Sequence, residues 1–72
     1  GMRYMVEIEA EMLTDEMRAT INQTTPQKMV SRADGKFVVG TFTSRSEADL
    51  LLTTLIDQYP DIVVTLKEIE LN

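Results

Sequence analysis

The chain has no cysteine and no histidine. The first absence removes disulfide frameworks, thiolate nucleophiles and cysteine-based metal sites together. The second removes the commonest general base and the commonest metal ligand at neutral pH. Basic residues are few, seven against twelve acidic, for a net charge of −5. They are scattered as Arg3, Arg18, Lys28, Arg32, Lys36, Arg45 and Lys67. A polyanion such as DNA or RNA would be repelled by that field, so no nucleic-acid partner is expected. No apolar run approaches the roughly 18–20 residues that cross a bilayer, and no secretory leader opens the sequence, so no membrane insertion is expected. Gly1 ahead of Met2 reads as an expression remnant. A native start at Met2 would imply the cytoplasm, and an excised domain the periplasm or envelope.

What is present is an ordinary globular composition. With 72 residues, 43% hydrophobic and 26% charged, residues 1–72 are expected to form one ordered domain. A chain this short buries only about 60% of its unfolded surface, so its stability is on the order of a few kcal/mol.

Residues 4 to 12 alternate, with Tyr4, Val6, Ile8, Ala10 and Met12 on one side and Met5, Glu7, Glu9 and Glu11 on the other. Period two with one apolar and one charged face predicts a half-buried strand in a sheet covered on one side. Thr14 then offers an N-cap, with Asp15 and Glu16 in the first turn and a narrow inward stripe of Leu13, Met17 and Ile21. The helix is composed of poor formers, including Thr20, Asn22 and Thr24, and Pro26 ends it at or before Thr25. Two strands, 28–33 and 36–42, flank Asp34-Gly35, the dipeptide suited to a two-residue type I′ hairpin. That turn sets Val30 opposite Val39 and predicts Val30, Phe37 and Val39 in the core, with Met29, Ser31 and Val38 on the other face.

Ser44 and Glu47 form the spacing of a capping box. Ala48, Leu51, Leu52, Leu55, Ile56 and Tyr59 follow at helical spacing and are expected inside, with Leu50 on the outer side. Tyr59-Pro60 stops that helix. A last strand, 62–71, alternates Ile62, Val64 and Leu66 against Val63, Thr65 and Lys67, and its phase blurs at Glu68-Ile69, where a bulge or a second register is expected. Two strand–helix units around a hairpin give the order β-α-β-β-α-β. The predicted class is α+β, ferredoxin-like: a four-stranded antiparallel sheet with two helices on one face.

Chemistry-bearing constellations are sparse. Glu7, Glu9 and Glu11 share a strand face at spacings of about 7 Å, which suits a hard cation or an acid/base pair. The same pattern is the polar face of any amphipathic strand, and no third ligand type stands beside it. Thr41, Thr43, Ser44 and Ser46, with Arg45, lie at a helix entry where anions bind, although ordinary capping is the leading account of them. No metal, cofactor or catalytic residue is assigned. The open sheet face remains, with apolar Met5, Met29, Val38 and Val63 among Glu7 and Ser31, and adaptable methionines of this kind recur at binding surfaces.

The stretch from Lys36 to Leu52 resembles the SPOR, or sporulation-related repeat, pattern. Gly40-Thr41-Phe42 matches its strand end, Ser44, Glu47, Ala48 and Leu55 its helix, and 62–66 its following strand. The resemblance covers about half of the chain and implies the same β-α-β-β-α-β fold. It also implies a bacterial, non-enzymatic domain binding peptidoglycan glycan strands through the open sheet face. The first half departs from it, reading Val6-Glu7-Ile8-Glu9-Ala10-Glu11 where the family carries a Val-Gln-x-Gly-Ser-Phe strand. A second resemblance, at Arg3 to Ile8 and at Tyr59 to Val64, is to small dimeric α/β-barrel proteins, including muconolactone isomerases, which pack sheet on sheet. The leading expectation is therefore an interaction module. Its partner, a protein, a cell-wall glycan or a second copy, would meet Met5, Glu7, Met29, Ser31, Val38 and Val63. The competing expectation is a dimeric barrel with a small-molecule pocket or an isomerase-like activity.

Overall fold

A computed structural model describes residues 1–72. The alternating run near the N-terminus forms β1 (Met2–Glu9), in which Val6 and Ile8 are wholly shut off from solvent. The alternation continues in sequence to Met12, but the strand does not. Its last cross-strand partners are Phe37 opposite Ile8 and Val63 opposite Glu9, so nothing is left for Ala10 to pair with. Met12, expected on the covered side, sits in the following loop and is 71% exposed, and Glu11 leaves the strand face with it.

The first helix, α1 (Asp15–Thr24), begins where Thr14 caps it, its hydroxyl accepting the Met17 amide at 3.1 Å. It buries Met17 and Ile21 and ends at Thr25, whose hydroxyl donates back to the Ile21 carbonyl at 2.9 Å. Strands β2 (Met29–Ala33) and β3 (Lys36–Phe42) are joined by Asp34 and Gly35, with φ of 52° and 76°. Both lie in the left-handed region, as a type I′ turn requires. The register follows from that turn, Arg32 opposite Phe37 and Val30 opposite Val39.

In α2 (Arg45–Gln58) half of the expected capping box forms. The Ser44 hydroxyl accepts the Glu47 amide at 3.4 Å, but its second contact is the Ser46 hydroxyl at 2.7 Å rather than a returned bond from Glu47. Ala48, Leu51 and Leu55 are buried and Leu52 and Tyr59 half-buried. Ile56 was expected inside and is 46% exposed. One residue past Leu55 turns a side chain by about 100°, which carries Ile56 off the buried stripe.

The last strand, β4 (Val63–Glu70), lies at the edge, and the antiparallel sheet has the order β2-β3-β1-β4. Both helices cover one face, giving a ferredoxin-like α+β fold. Each large apolar side chain buried between them contributes roughly 1.5–3 kcal/mol.

The expected irregularity in the last strand is absent: β4 pairs with β1 without a break from Met2–Glu70 to Glu9–Val63. Glu68 stands opposite Tyr4 at the margin of the covered face, where Arg45 forms an ion pair with it. The apparent change of phase is a partnered carboxylate, not a slip. The real irregularity is on the other side of β1. Tyr4 opposes Phe42 and Met5 opposes Gly40, leaving Thr41 as the extra residue. Val39 and Phe42 are both buried though three residues apart, and a period of two permits that only with a bulge between them. Gly40 serves the bulge with φ of 154°, and a Cβ there would lie 3.2 Å from the Tyr4 carbonyl oxygen.

Replacing Leu55 by Ala should cost about 2–5 kcal/mol, most of the stability of so small a domain. Ile56→Ala, one position on, should change stability by no more than about 0.5 kcal/mol. Urea denaturation of both variants checks the orientation of α2; equal losses would place the buried stripe elsewhere.

Candidate functional site

The alternation that sends Tyr4, Val6 and Ile8 to the helices sends Arg3, Met5, Glu7 and Glu9 to the uncovered face of the sheet. Register extends this across all four strands. Met29, Gly40, Met5 and Lys67 form one row, and Ser31, Val38, Glu7 and Thr65 the next. Val63 stands opposite Glu9 and Ile69 opposite Arg3. The six residues singled out in the sequence, Met5, Glu7, Met29, Ser31, Val38 and Val63, thus share one face. Met5, Glu7 and Val38 are half-buried and Ser31 is exposed, while Met29 is 72% and Val63 56% exposed. Gly40 has no side chain in its row, and the Met5 side chain lies against the gap, its Cγ 3.4 Å from where a Cβ would be.

Sequence reasoning missed Lys36 as a member of this face. Its ammonium lies 3.6 Å from a Glu7 carboxylate oxygen and 3.7 Å from one of Glu9. The hairpin register that opposes Lys36 to Ala33 and its parity with Val38 were the available signal. The Glu7–Glu9 pair, considered as a metal or acid/base site, therefore already shares a cation, and Glu11 is off the strand. No group of three or more acidic side chains converges to hold a metal ion.

Lys36 also changes the charge of the face. Arg3, Lys36 and Lys67 stand there against Glu7 and Glu9, one net positive charge in a chain of −5. The excess acid lies on the helices, the loops and the margin of the covered face. Along β1 the face is polarised, with Arg3 and Lys67 toward one end and Glu7 and Glu9 toward the other. The aromatic rings are elsewhere: Phe37 and Phe42 are buried in the core, with Tyr4 and Tyr59 packed against it.

In the hydroxyl cluster at the entry to α2, the two serines are occupied by their own hydrogen bonds. Ser44 caps Glu47 and contacts Ser46, and the Thr41 carbonyl accepts from the Lys28 ammonium at 3.0 Å. Arg45, which would have assisted an anion there, pairs instead with Asp49 and Glu68. In a basin beside the hairpin, lined by Glu9, Glu11, Arg32, Asp34 and Lys36 among others, both cations are already partnered, Arg32 by the Glu11 carbonyl at 3.0 Å and Lys36 by Glu7 and Glu9. No helix is long and apolar enough to cross a membrane.

Removing the Lys36 ammonium should lower stability by less than about 1 kcal/mol, the range of partly exposed ion pairs. In Lys36→Ala the deficit measured by urea denaturation should narrow at about 1 M salt, where screening removes most of the attraction. A deficit indifferent to salt would assign the loss to the packing of the lysine stem.

Compared with known proteins, the chain matches no family model and no curated protein.

Proposed function

We propose that this chain is a non-enzymatic interaction module whose uncovered sheet face is its binding surface, and that the surface it accepts is another protein's, in the first instance that of a second copy. The carrying observation is the face itself, where Met29 and Val63 stand largely exposed at the flanks of half-buried Met5 and Val38. Apolar side chains gathered on a face that no element of the fold covers mark a contact surface. Methionine adapts to irregular partners more readily than branched residues do.

Three features favour a protein over a glycan. No aromatic ring is presented for a sugar to stack on, since Tyr4, Phe37 and Phe42 turn toward the helices. The charges are mixed rather than of one sign. They are also polarised: two copies face to face with their β1 strands reversed set Arg3 and Lys67 of each near the Glu7, Glu9 and Lys36 end of the other, which carries a net charge of −1. Four strands about 4.8 Å apart and five to eight residues long span a footprint of roughly 450 Å², below the ~800 Å² per partner of a standard interface and in the range of weak association. The SPOR resemblance at Gly40 to Ala48 supports an interaction role on the same face, and under it a glycan is the alternative occupant.

Sedimentation equilibrium between about 10 and about 500 μM, where interfaces of modest size are populated, tests the reading. The expected result is a monomer–dimer equilibrium that Met29→Asp with Val38→Asp abolishes without unfolding the domain. A strict monomer across the range sinks self-association, and denuded peptidoglycan then becomes the probe of the face. A dimer untouched by both substitutions sinks the face as the interface.

A further inference from the structure

On the covered side of the sheet, away from the face just described, a groove of about 330 Å³ runs between α1 and the edge strand β2. We infer that it is a binding site for a small amphipathic carboxylate, a short hydrocarbon chain ending in one carboxyl group. Its lining divides into two chemistries. Ala19, Ile21 and Val30 supply an apolar wall, and Arg18, Asn22 and Lys28 supply hydrogen-bond donors. Its size is at the low end of clefts that hold small ligands, about 300–1,000 Å³, and an apolar wall with a few convergent polar groups is their usual composition.

Charge argues for an anion. Acidic residues outnumber basic ones twelve to seven in the chain, yet two of the seven cations meet in this groove and no carboxylate lines it. The two are held differently. Lys28 is fixed: its ammonium donates to the Thr41 carbonyl at 3.0 Å and lies 5.2 Å from the centre of the Phe42 ring. An ammonium has three donors, so others remain for a ligand. Arg18 is free. The other three arginines each have a partner within the chain, Arg3 the Met2 carbonyl, Arg32 the Glu11 carbonyl and Arg45 the carboxylates of Asp49 and Glu68. The Arg18 guanidinium has neither an ion pair nor a hydrogen bond, so its planar fork, which matches a carboxylate in two parallel bonds, is available.

The apolar wall selects among anions. Inorganic phosphate would satisfy the cations and leave Ala19 and the half-buried Val30 wet, whereas an alkyl carboxylate covers them.

The test is titration of the isotope-labelled chain with sodium hexanoate at constant ionic strength, following backbone amide shifts. Hexanoate should move the amides of Arg18, Asn22, Lys28 and Val30 saturably, with a dissociation constant on the order of 1–10 mM. Arg18→Gln, at an exposed helix position, should weaken binding about tenfold or more, the loss expected for a charge-assisted hydrogen bond. Sodium phosphate and hexylammonium chloride should bind at least about tenfold more weakly than hexanoate, one lacking the chain and the other the charge. The proposal falls if hexanoate gives no saturable shift, if either control equals it, or if Arg18→Gln binds as the wild type does.

Discussion

Val6 and Ile8 are the side chains the rest of the fold is arranged to cover. They sit on β1, which is hydrogen-bonded on both sides, and they oppose Val39 and Phe37 on one flank and Leu66 and Val64 on the other. A helix laid over that patch is the simplest way to keep water from it, and α2 supplies one with Ala48, Leu51 and Leu55. The smallness of Ala48 lets that helix come close. The weaker α1 has few good helix formers and owes its existence to packing Met17 and Ile21 into the same core rather than to propensity. Covering one side of β1 leaves the other bare. The open face is the complement of the core, produced by the same alternation.

Much of this is legible in the residues because each signal is local. The Asp34-Gly35 turn dictates its own register, Thr14 and Ser44 begin helices, and Pro26 and Pro60 follow their ends. What was not legible depends on distant parts of the chain. Ala10 and Met12 continue the alternation of β1 after its partners have run out, and no sequence window contains that fact. Glu68 looked like a lost phase because its partner, Arg45, lies on a helix start twenty-three residues away. The bulge at Thr41 was readable in principle: Val39 and Phe42 are both natural core residues, and their spacing of three around a glycine is the mark of an inserted residue.

The candidate face is legible in the sequence as a set of positions, and its charge is not. Counting Glu7 and Glu9 alone makes it acidic, whereas Lys36, Arg3 and Lys67 make it slightly positive, and that assignment requires carrying parity across three strands. The groove beneath α1 had no local signature. Arg18 and Lys28 are ten residues apart and become neighbours only because the chain turns back at Thr25 to Lys28.

The pairing of β1 with β4 also orders the events of folding. The hairpin of β2 and β3 closes a loop of two residues and forms on the microsecond scale of such elements. The β1–β4 ladder brings Met2 to Glu70, nearly the whole length of the chain. Loop-closure entropy must be met before those contacts give anything back, which slows folding relative to a chain of this size held by local contacts. During synthesis the first strand emerges earliest and waits for the last. Until β4 clears the ribosome, one edge of β1 keeps its amides and carbonyls unpaired, so the sheet becomes complete only after translation of its final strand has ended.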